Sequence, residues 1–276
     1  MEGYQFHPLF ARSMALVLSF LLPVCADVVL AFPTGSTQIA EAAAREDVTQ
    51  MAREITVRVL SESGAGSGTI VDRSGSTYTV LTNDHVLPEG ETYSILTADG
   101  SRHAAWRLDA PAFGELDLAL MQFTSDRPYS VAQRGNSATL EIGESIYAAG
   151  FPNWQPLGED AIEDTRDWGF DAFALTRGEV GMKLERSLAR GYQLGYTNDV
   201  RSGMSGGPVL DASGQLVGIN GRLKSPIQGI DAFILEDGSQ PSPQLFAQME
   251  GFSWAIPIST FEALFEALAW DGGSED

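Results

Sequence analysis

At 276 residues the chain is long enough for one sizeable β-rich domain, and a hydrophobic content of 43% supports an ordinary packed core rather than disorder. A formal net charge of −20 at pH 7 repels phosphates and argues against a nucleic-acid partner; an acidic surface favours solubility and can steer basic substrates. The single cysteine, Cys25, excludes an internal disulfide framework.

In chain order, Arg12 precedes an apolar core, Met14 to Val24, and small residues follow. This predicts a signal peptide over residues 1–31, cut after Ala26 or after Ala31, with an uncleaved anchor as the alternative. Asp27 argues against a stable membrane span, and Val24 before Cys25 fits a lipoprotein signal poorly. Export in an oxidising direction without a disulfide leaves core packing to hold the fold. Gln38 to Glu54 is alanine-rich and predicts a helix that packs on the outside. Ile55 to Leu60 alternates apolar and polar residues, as a half-buried strand does. Further strands are predicted at Gly68–Val71, Tyr78–Thr82, Tyr93–Thr97 and Leu118–Phe123, and His103 reads as an exposed strand residue. A second set follows at Ser145–Ala149, Val180–Leu184, Tyr192–Tyr196, Pro208–Asp211, Leu216–Asn220 and Ser253–Ile256. Turns such as Asp72-Arg73-Ser74-Gly75 and Asp211-Ala212-Ser213-Gly214 separate them. The acidic run from Glu159 to Asp167 lacks the spacing of a calcium loop and reads as a solvated surface loop. Residues 223–252, marked by Pro226, Gly229, Gly238, Pro241 and Pro243, read as a long loop. Ile258 to Trp270 reads as an amphipathic helix capped by Ser259 or Thr260, with a polar tail from Asp271 to Asp276 and no further domain expected.

The chemistry concentrates in Ser202-Gly203-Met204-Ser205-Gly206-Gly207-Pro208. A serine hydroxyl becomes a nucleophile when a histidine takes its proton and backbone N–H groups await the oxyanion. The pattern Gly203-x-Ser205-x-Gly207 also satisfies the elbow of α/β-hydrolases, which requires a later histidine; His7, His85 and His103 all precede Ser205. A subtilisin-like order could use Asp72, but the long alternating helices of that fold are not found. The order histidine, aspartate, serine remains. His85 ends the β-prone run Tyr78 to Asp84 and can project into a cleft, whereas His7 precedes the apolar leader. Asp117 is a charge inside the apolar run Leu116 to Met121, which requires a partner. Asp109 and Asp126 are the alternatives.

Gly66-Ser67-Gly68-Thr69-Ile70-Val71, Leu81-Thr82-Asn83-Asp84-His85-Val86, Asp117-Leu118-Ala119-Leu120, Ala149-Gly150-Phe151-Pro152, the Ser205 segment and Gly214-Gln215-Leu216-Val217-Gly218-Ile219 occur in this order. Together, from about residue 50 to about 262, they resemble the trypsin-like serine endopeptidases, in particular the bacterial, disulfide-free ones. The resemblance implies an all-β fold of two six-stranded antiparallel barrels (chymotrypsin-like) with a C-terminal helix. In that frame a peptidase domain spans residues 32–276, with a first barrel over about 52–126, a second over about 137–258 and a closing helix over about 258–270. It implies His85, Asp117 and Ser205 as catalytic triad, the N–H groups of Gly203 and Ser205 as oxyanion hole, and Asp199, six residues before Ser205, at the base of a pocket for arginine or lysine. Ala255 would stand in that pocket's wall. Met204 departs from the pattern: digestive members carry aspartate there and bacterial ones asparagine, so activation by an ion pair with a new N-terminus is not expected. The resemblance needs no metal or cofactor. It implies protein or peptide substrates and an exported enzyme, periplasmic or secreted, without a stable membrane span after signal cleavage. A non-catalytic binding protein on the same fold, and an esterase using the same triad, are the competing readings.

Overall fold

The computed structural model describes residues 35–108, 113–158 and 161–271. The leader 1–31 with His7 and Cys25, the alternative carboxylate Asp109, Glu159 and Asp160 of the acidic run, and the tail beyond Asp271 lie outside the described residues.

Helix α1 (Gly35–Ile55) opens the described chain. Val48, Ala52 and Ile55 share one helical face and are buried. The helix meets strands of both barrels described below; it is therefore part of the core between them and not only an outer attachment. Barrel one comprises β1 (Thr56–Leu60), β2 (Ala65–Ser74), β3 (Thr77–Thr82), β4 (Tyr93–Leu96), β5 (Arg102–Arg107) and β6 (Ala119–Thr124), closed in the order β1-β2-β3-β6-β5-β4 with every pair antiparallel. Its interior is filled by Val57, Val59, Ile70, Tyr78, Val80, Ile95, Met121 and Phe123.

Two expectations for this barrel are corrected. β1 is not half-buried: Arg58 on its outer face is fully covered, donating to the carbonyls of Gly169 at 2.8 Å and Thr165 at 3.2 Å and lying over the Phe151 ring. A guanidinium tolerates this burial because carbonyl oxygens and a ring face replace part of its water. His103 is half-buried rather than exposed, with Nε2 2.9 Å from the Tyr129 hydroxyl and its ring against Phe123.

Barrel two begins with β7 (Ser145–Gly150). A short hairpin, β8 (Trp154–Pro156) and β9 (Ile162–Asp164), interrupts it before β10 (Ala174–Lys183), β11 (Leu194–Tyr196), β12 (Pro208–Leu210), β13 (Leu216–Arg222) and β14 (Ser253–Pro257). It closes in the order β10-β11-β14-β13-β12-β7, again antiparallel. Strand alternation divides its side chains between two cores. Ile146 and Ala148 of β7 point into the barrel with Val180, Val209 and Val217; Tyr147 and Ala149 join Leu81, Leu120, Trp254 and Ile256 in the apolar seam between barrels. The expected architecture of two six-stranded antiparallel barrels is therefore present.

Part of the acidic run is strand β9, paired with β8, and not a free loop. The long loop also contains a helix, α2 (Pro243–Met249), because Pro243 stands at its first turn, where no N–H is needed, and Ser242 caps it by accepting from the Leu245 N–H at 3.2 Å. The last helix, α3 (Ile258–Asp271), begins before Ser259 and Thr260. Its cap comes from elsewhere in the chain: Ser137 Oγ accepts from the Ser259 N–H at 3.3 Å. Among the described residues no helix is long and apolar enough to cross a membrane.

Candidate active site

β3 ends at Thr82, and one helical turn, Asp84–Val86, carries His85 out of barrel one toward the seam. Asn83 anchors this turn: its Nδ2 donates to the Asp117 carbonyl at 2.7 Å. Asp117 stands two residues before β6 and is buried. Its carboxylate accepts three hydrogen bonds and makes one ion pair. Oδ1 takes the His85 N–H at 3.1 Å and lies 2.9 Å from Arg190 Nη2; Oδ2 takes His85 Nδ1 at 2.7 Å and the Tyr192 hydroxyl. Burial pushes this carboxyl up, but the bond to and charge of His85 and the Tyr192 hydroxyl outweigh it, so Asp117 sits below the ordinary carboxylate range. An ionised carboxylate can only accept, which makes His85 Nδ1 the donor and leaves Nε2 with its lone pair free to accept a proton. Burial, followed by the charge of Asp117, pushes Tyr192 far above its usual value and keeps it a neutral donor.

Ser205 lies in the turn between Val200 and β12, on barrel two. Barrel one grips the main chain of that turn through one N–H group and two hydroxyls. The Ser67 N–H donates to the Ser205 carbonyl at 2.9 Å, Ser67 Oγ donates to the Gly203 carbonyl at 2.8 Å and accepts from the Phe151 N–H at 2.8 Å, and Thr69 Oγ1 donates to the Gly206 carbonyl at 3.2 Å. Gly203 and Gly206 have φ of 96° and 87°, a region costly for other residues. A Cβ on Gly206 would also collide with the Ser67 carbonyl oxygen and the Thr82 hydroxyl.

Backbone donors in this turn fall into two groups. The N–H groups of Met204, Gly206 and Gly207 are taken by the carbonyls of Arg201, Asn220 and Met204. Those of Gly203 and Ser205 have no acceptor among the described residues, and both residues line the same cavity as His85, about 170 Å³, with Ser61, Asn153 and Ser202. Free donors beside a serine are what a developing oxyanion requires. Met204 explains its own departure from the expected pattern. Its side chain is fully buried among Ile146, Tyr196, Val200 and Val209, so it holds the turn by apolar packing where a polar residue would need partners.

The structure thus brings His85, Asp117, Gly203 and Ser205 together. It does not bring Asp199 to them. The Asp199 side chain is 61% exposed and ion-paired to Lys224 at 3.0 Å, and Asp199 is not among the residues lining the cavity. Its neighbours Asn198 and Val200 are buried, and alternation along the chain turns Asp199 outward. The partner is Lys224, while Arg201 stacks on Trp154 and Arg222 on Tyr192. Ala255 is buried inside barrel two. Asp126 is a loop residue after β6, and the carboxylate at His85 is that of Asp117. Sequence reasoning missed the roles of Arg190 and Tyr192: Tyr192 reads only as the first residue of an expected strand, and Arg190 as a polar residue just before it.

A family model of the trypsin-like peptidase domain matches residues 66–219. The serine protease Do-like HtrA of Bacillus subtilis is 27% identical over 223 residues, 78% of this chain and 41% of its own. The putative serine protease HhoB of Synechocystis sp. is 31% identical over 218 residues, 78% of this chain and 42% of its own. A probable periplasmic serine endoprotease, DegP-like, of Bartonella henselae is 27% identical over 217 residues, 75% of this chain and 34% of its own. The chain therefore spans less than half the length of these curated relatives. Among solved structures, the serine endoprotease from Yersinia pestis superposes with a TM-score of 0.56 over 88% of this chain and 69% of that one, at 22% identity. The HtrA-type protease AlgW with tripeptide gives 0.57 over 82% and 64%, at 20% identity. At these identities the superpositions show a shared fold.

Proposed function

This chain belongs to the trypsin-like peptidase domain family, and on that premise we propose that it is an exported serine endopeptidase that cuts peptide bonds through an acyl-enzyme. The observation that carries the proposal is the His85–Asp117 contact of 2.7 Å beside a cavity shared by His85, Ser205 and the unpaired N–H groups of Gly203 and Ser205. In this reading His85 Nε2 takes the Ser205 proton as Oγ attacks the substrate carbonyl. Asp117 fixes the imidazole tautomer and stabilises the imidazolium, and the two N–H groups receive the oxyanion. His85 then returns the proton to the leaving amine, and water repeats the cycle on the ester.

Export rests on the apolar leader from Met14 to Val24 and on similarity to relatives described as periplasmic. Ser205→Ala is expected to lower peptide turnover by roughly a thousandfold or more, and a serine-directed phosphonate should label wild type at Ser205 only. Near-wild-type turnover by the folded variant would overturn the nucleophile assignment. Hydrolysis of esters with no cleavage across a peptide library would replace the endopeptidase reading with that of an esterase. N-terminal sequencing of protein from its native host tests export, with a start near residue 27 or 32 expected.

A further inference from the structure

Arg190 is held unusually. It is an arginine in left-handed conformation, φ 69° and ψ 17°, where residues with a side chain store strain that the surroundings must hold. What holds it is Asp117. The Arg190 carbonyl accepts from the Asp117 N–H at 3.0 Å, and its guanidinium lies 2.9 Å from Asp117 Oδ1 and 2.9 Å from Asp84 Oδ2. Asp84 belongs to the turn that carries His85, and its other oxygen is paired with Arg107 of β5 at 2.7 Å. From β13, Arg222 stacks on the Tyr192 ring and donates to the Ala189 carbonyl at 2.9 Å, which fixes the segment that presents both Arg190 and Tyr192. The charged and titratable groups around His85 and Asp117 are thus Asp84, Arg107, Arg190, Tyr192 and Arg222.

We infer that Arg190 is a positioning residue that shares the Asp117 carboxylate with His85, and so holds the imidazole in the orientation in which Ser205 becomes reactive. This inference rests on the serine-nucleophile reading above. A cation on one carboxylate oxygen draws charge from the bond that the other oxygen makes to His85 Nδ1–H. Arg190 also ties Asp84 to Asp117, which holds the His85 turn in register with its partner.

The test compares wild type with Arg190→Gln and Arg190→Lys, each checked for an unchanged melting profile. Two readouts are taken. The first is the proton NMR signal of His85 Nδ1–H, which needs no substrate. The second is the rate of phosphonate labelling of Ser205. Arg190→Gln is expected to move the Nδ1–H signal downfield, because Asp117 loses a competing cation, and to slow phosphonate labelling by about tenfold or more, because the His85 turn loses its tie to Asp117. Arg190→Lys, which keeps the charge, is expected to lie closer to wild type in both. An unmoved Nδ1–H signal in Arg190→Gln, or a Lys variant displaced as far as the Gln variant, overturns the inference. A wild type that is not labelled at all counts against the nucleophile reading instead, and the NMR signal still decides the role of Arg190.

Discussion

The two halves of the site are built from different forces. The His85–Asp117 half, on barrel one, is held by charged side chains: one carboxylate with three hydrogen-bond donors and an arginine ion pair, and arginines from two separate segments reaching Asp84. The Ser205 half, on barrel two, is held by uncharged hydrogen bonds to its main chain, including those from the Ser67 and Thr69 hydroxyls, and by the buried Met204, with no ion pair at its centre among the described residues. The first half is therefore sensitive to pH and charge, and the second to volume. The seam lets each barrel hold candidate site residues of the other: Ser67 of β2 grips the Ser205 turn, and Arg190 and Tyr192 of barrel two grip Asp117.

The strongest way to break the charged half is Asp117→Asn. It leaves the shape but offers His85 the wrong tautomer, and kcat/KM near neutral pH is expected to fall by about 10⁴. A fall of less than tenfold would remove Asp117 from the proposed triad. The packed half is broken by volume instead. Gly206→Ala places a methyl group against the Ser67 carbonyl and the Thr82 hydroxyl at positive φ, and should cost at least about 2 kcal/mol in urea denaturation. If the two halves differ as described, Gly206→Ala lowers stability at every pH, while charge changes act mainly where carboxylates titrate.

Smaller effects sharpen the contrast. Tyr192→Phe leaves the buried Asp117 carboxylate one donor short and is expected to cost about 1.5–3 kcal/mol of stability, measured by the same denaturation. The pH dependence has a definite sign. Asp117 is below its ordinary value, and Asp99 is likewise low: burial raises it, but bonds from Thr97, Ser101 and Arg127 outweigh that. A carboxyl depressed in the folded state contributes stability that is complete above its unfolded value, about 4, and is lost as pH falls toward the lower folded value. The melting temperature should thus hold steady down to about pH 5 and decline below about pH 4. A melting temperature that rises on acidification below pH 4 would contradict both assignments. The smallest effect belongs to Asp199. With its side chain in solvent and paired to Lys224, Asp199→Ser should leave the ranking of arginine, lysine and leucine substrates unchanged within about twofold, since exposed ion pairs contribute little. A lost preference for basic residues would return Asp199 to the specificity pocket.

Much of the fold was legible because strands carry their periodicity locally. Five of the six strands of barrel two lie where alternation and turn residues put them, while β10 begins at Ala174, six residues before the expected start at Val180; the Ser205 turn was evident from its glycines. β5 was seen only as a lone strand residue, His103, because Arg102-His103-Ala104-Ala105-Trp106-Arg107 has neither an apolar–polar alternation nor an apolar run. The helix α2 was hidden by a proline that breaks a helix anywhere but at its first turn. Arg58 shows the limit of alternation. Its residue type says outward, and only the segment 165–169 folding over β1 makes outward mean buried.

For the site, the sequence by itself determined which residues could react: a histidine ending a strand, a carboxylate inside an apolar run and a glycine-flanked serine, in one order along the chain. Those are choices of residue type and local backbone, and they are written in adjacent positions. The tertiary structure alone decided their supports and surroundings. Tyr192 is 75 residues from Asp117 and Arg190 is 106 from Asp84; no local pattern records pairs at such separations, because closing the barrels is what brings them together. It likewise decided that Asp199 faces water. Six residues from Ser205, its distance along the chain was right for a pocket floor, but burial of Asn198 and Val200 on either side set the direction of its side chain.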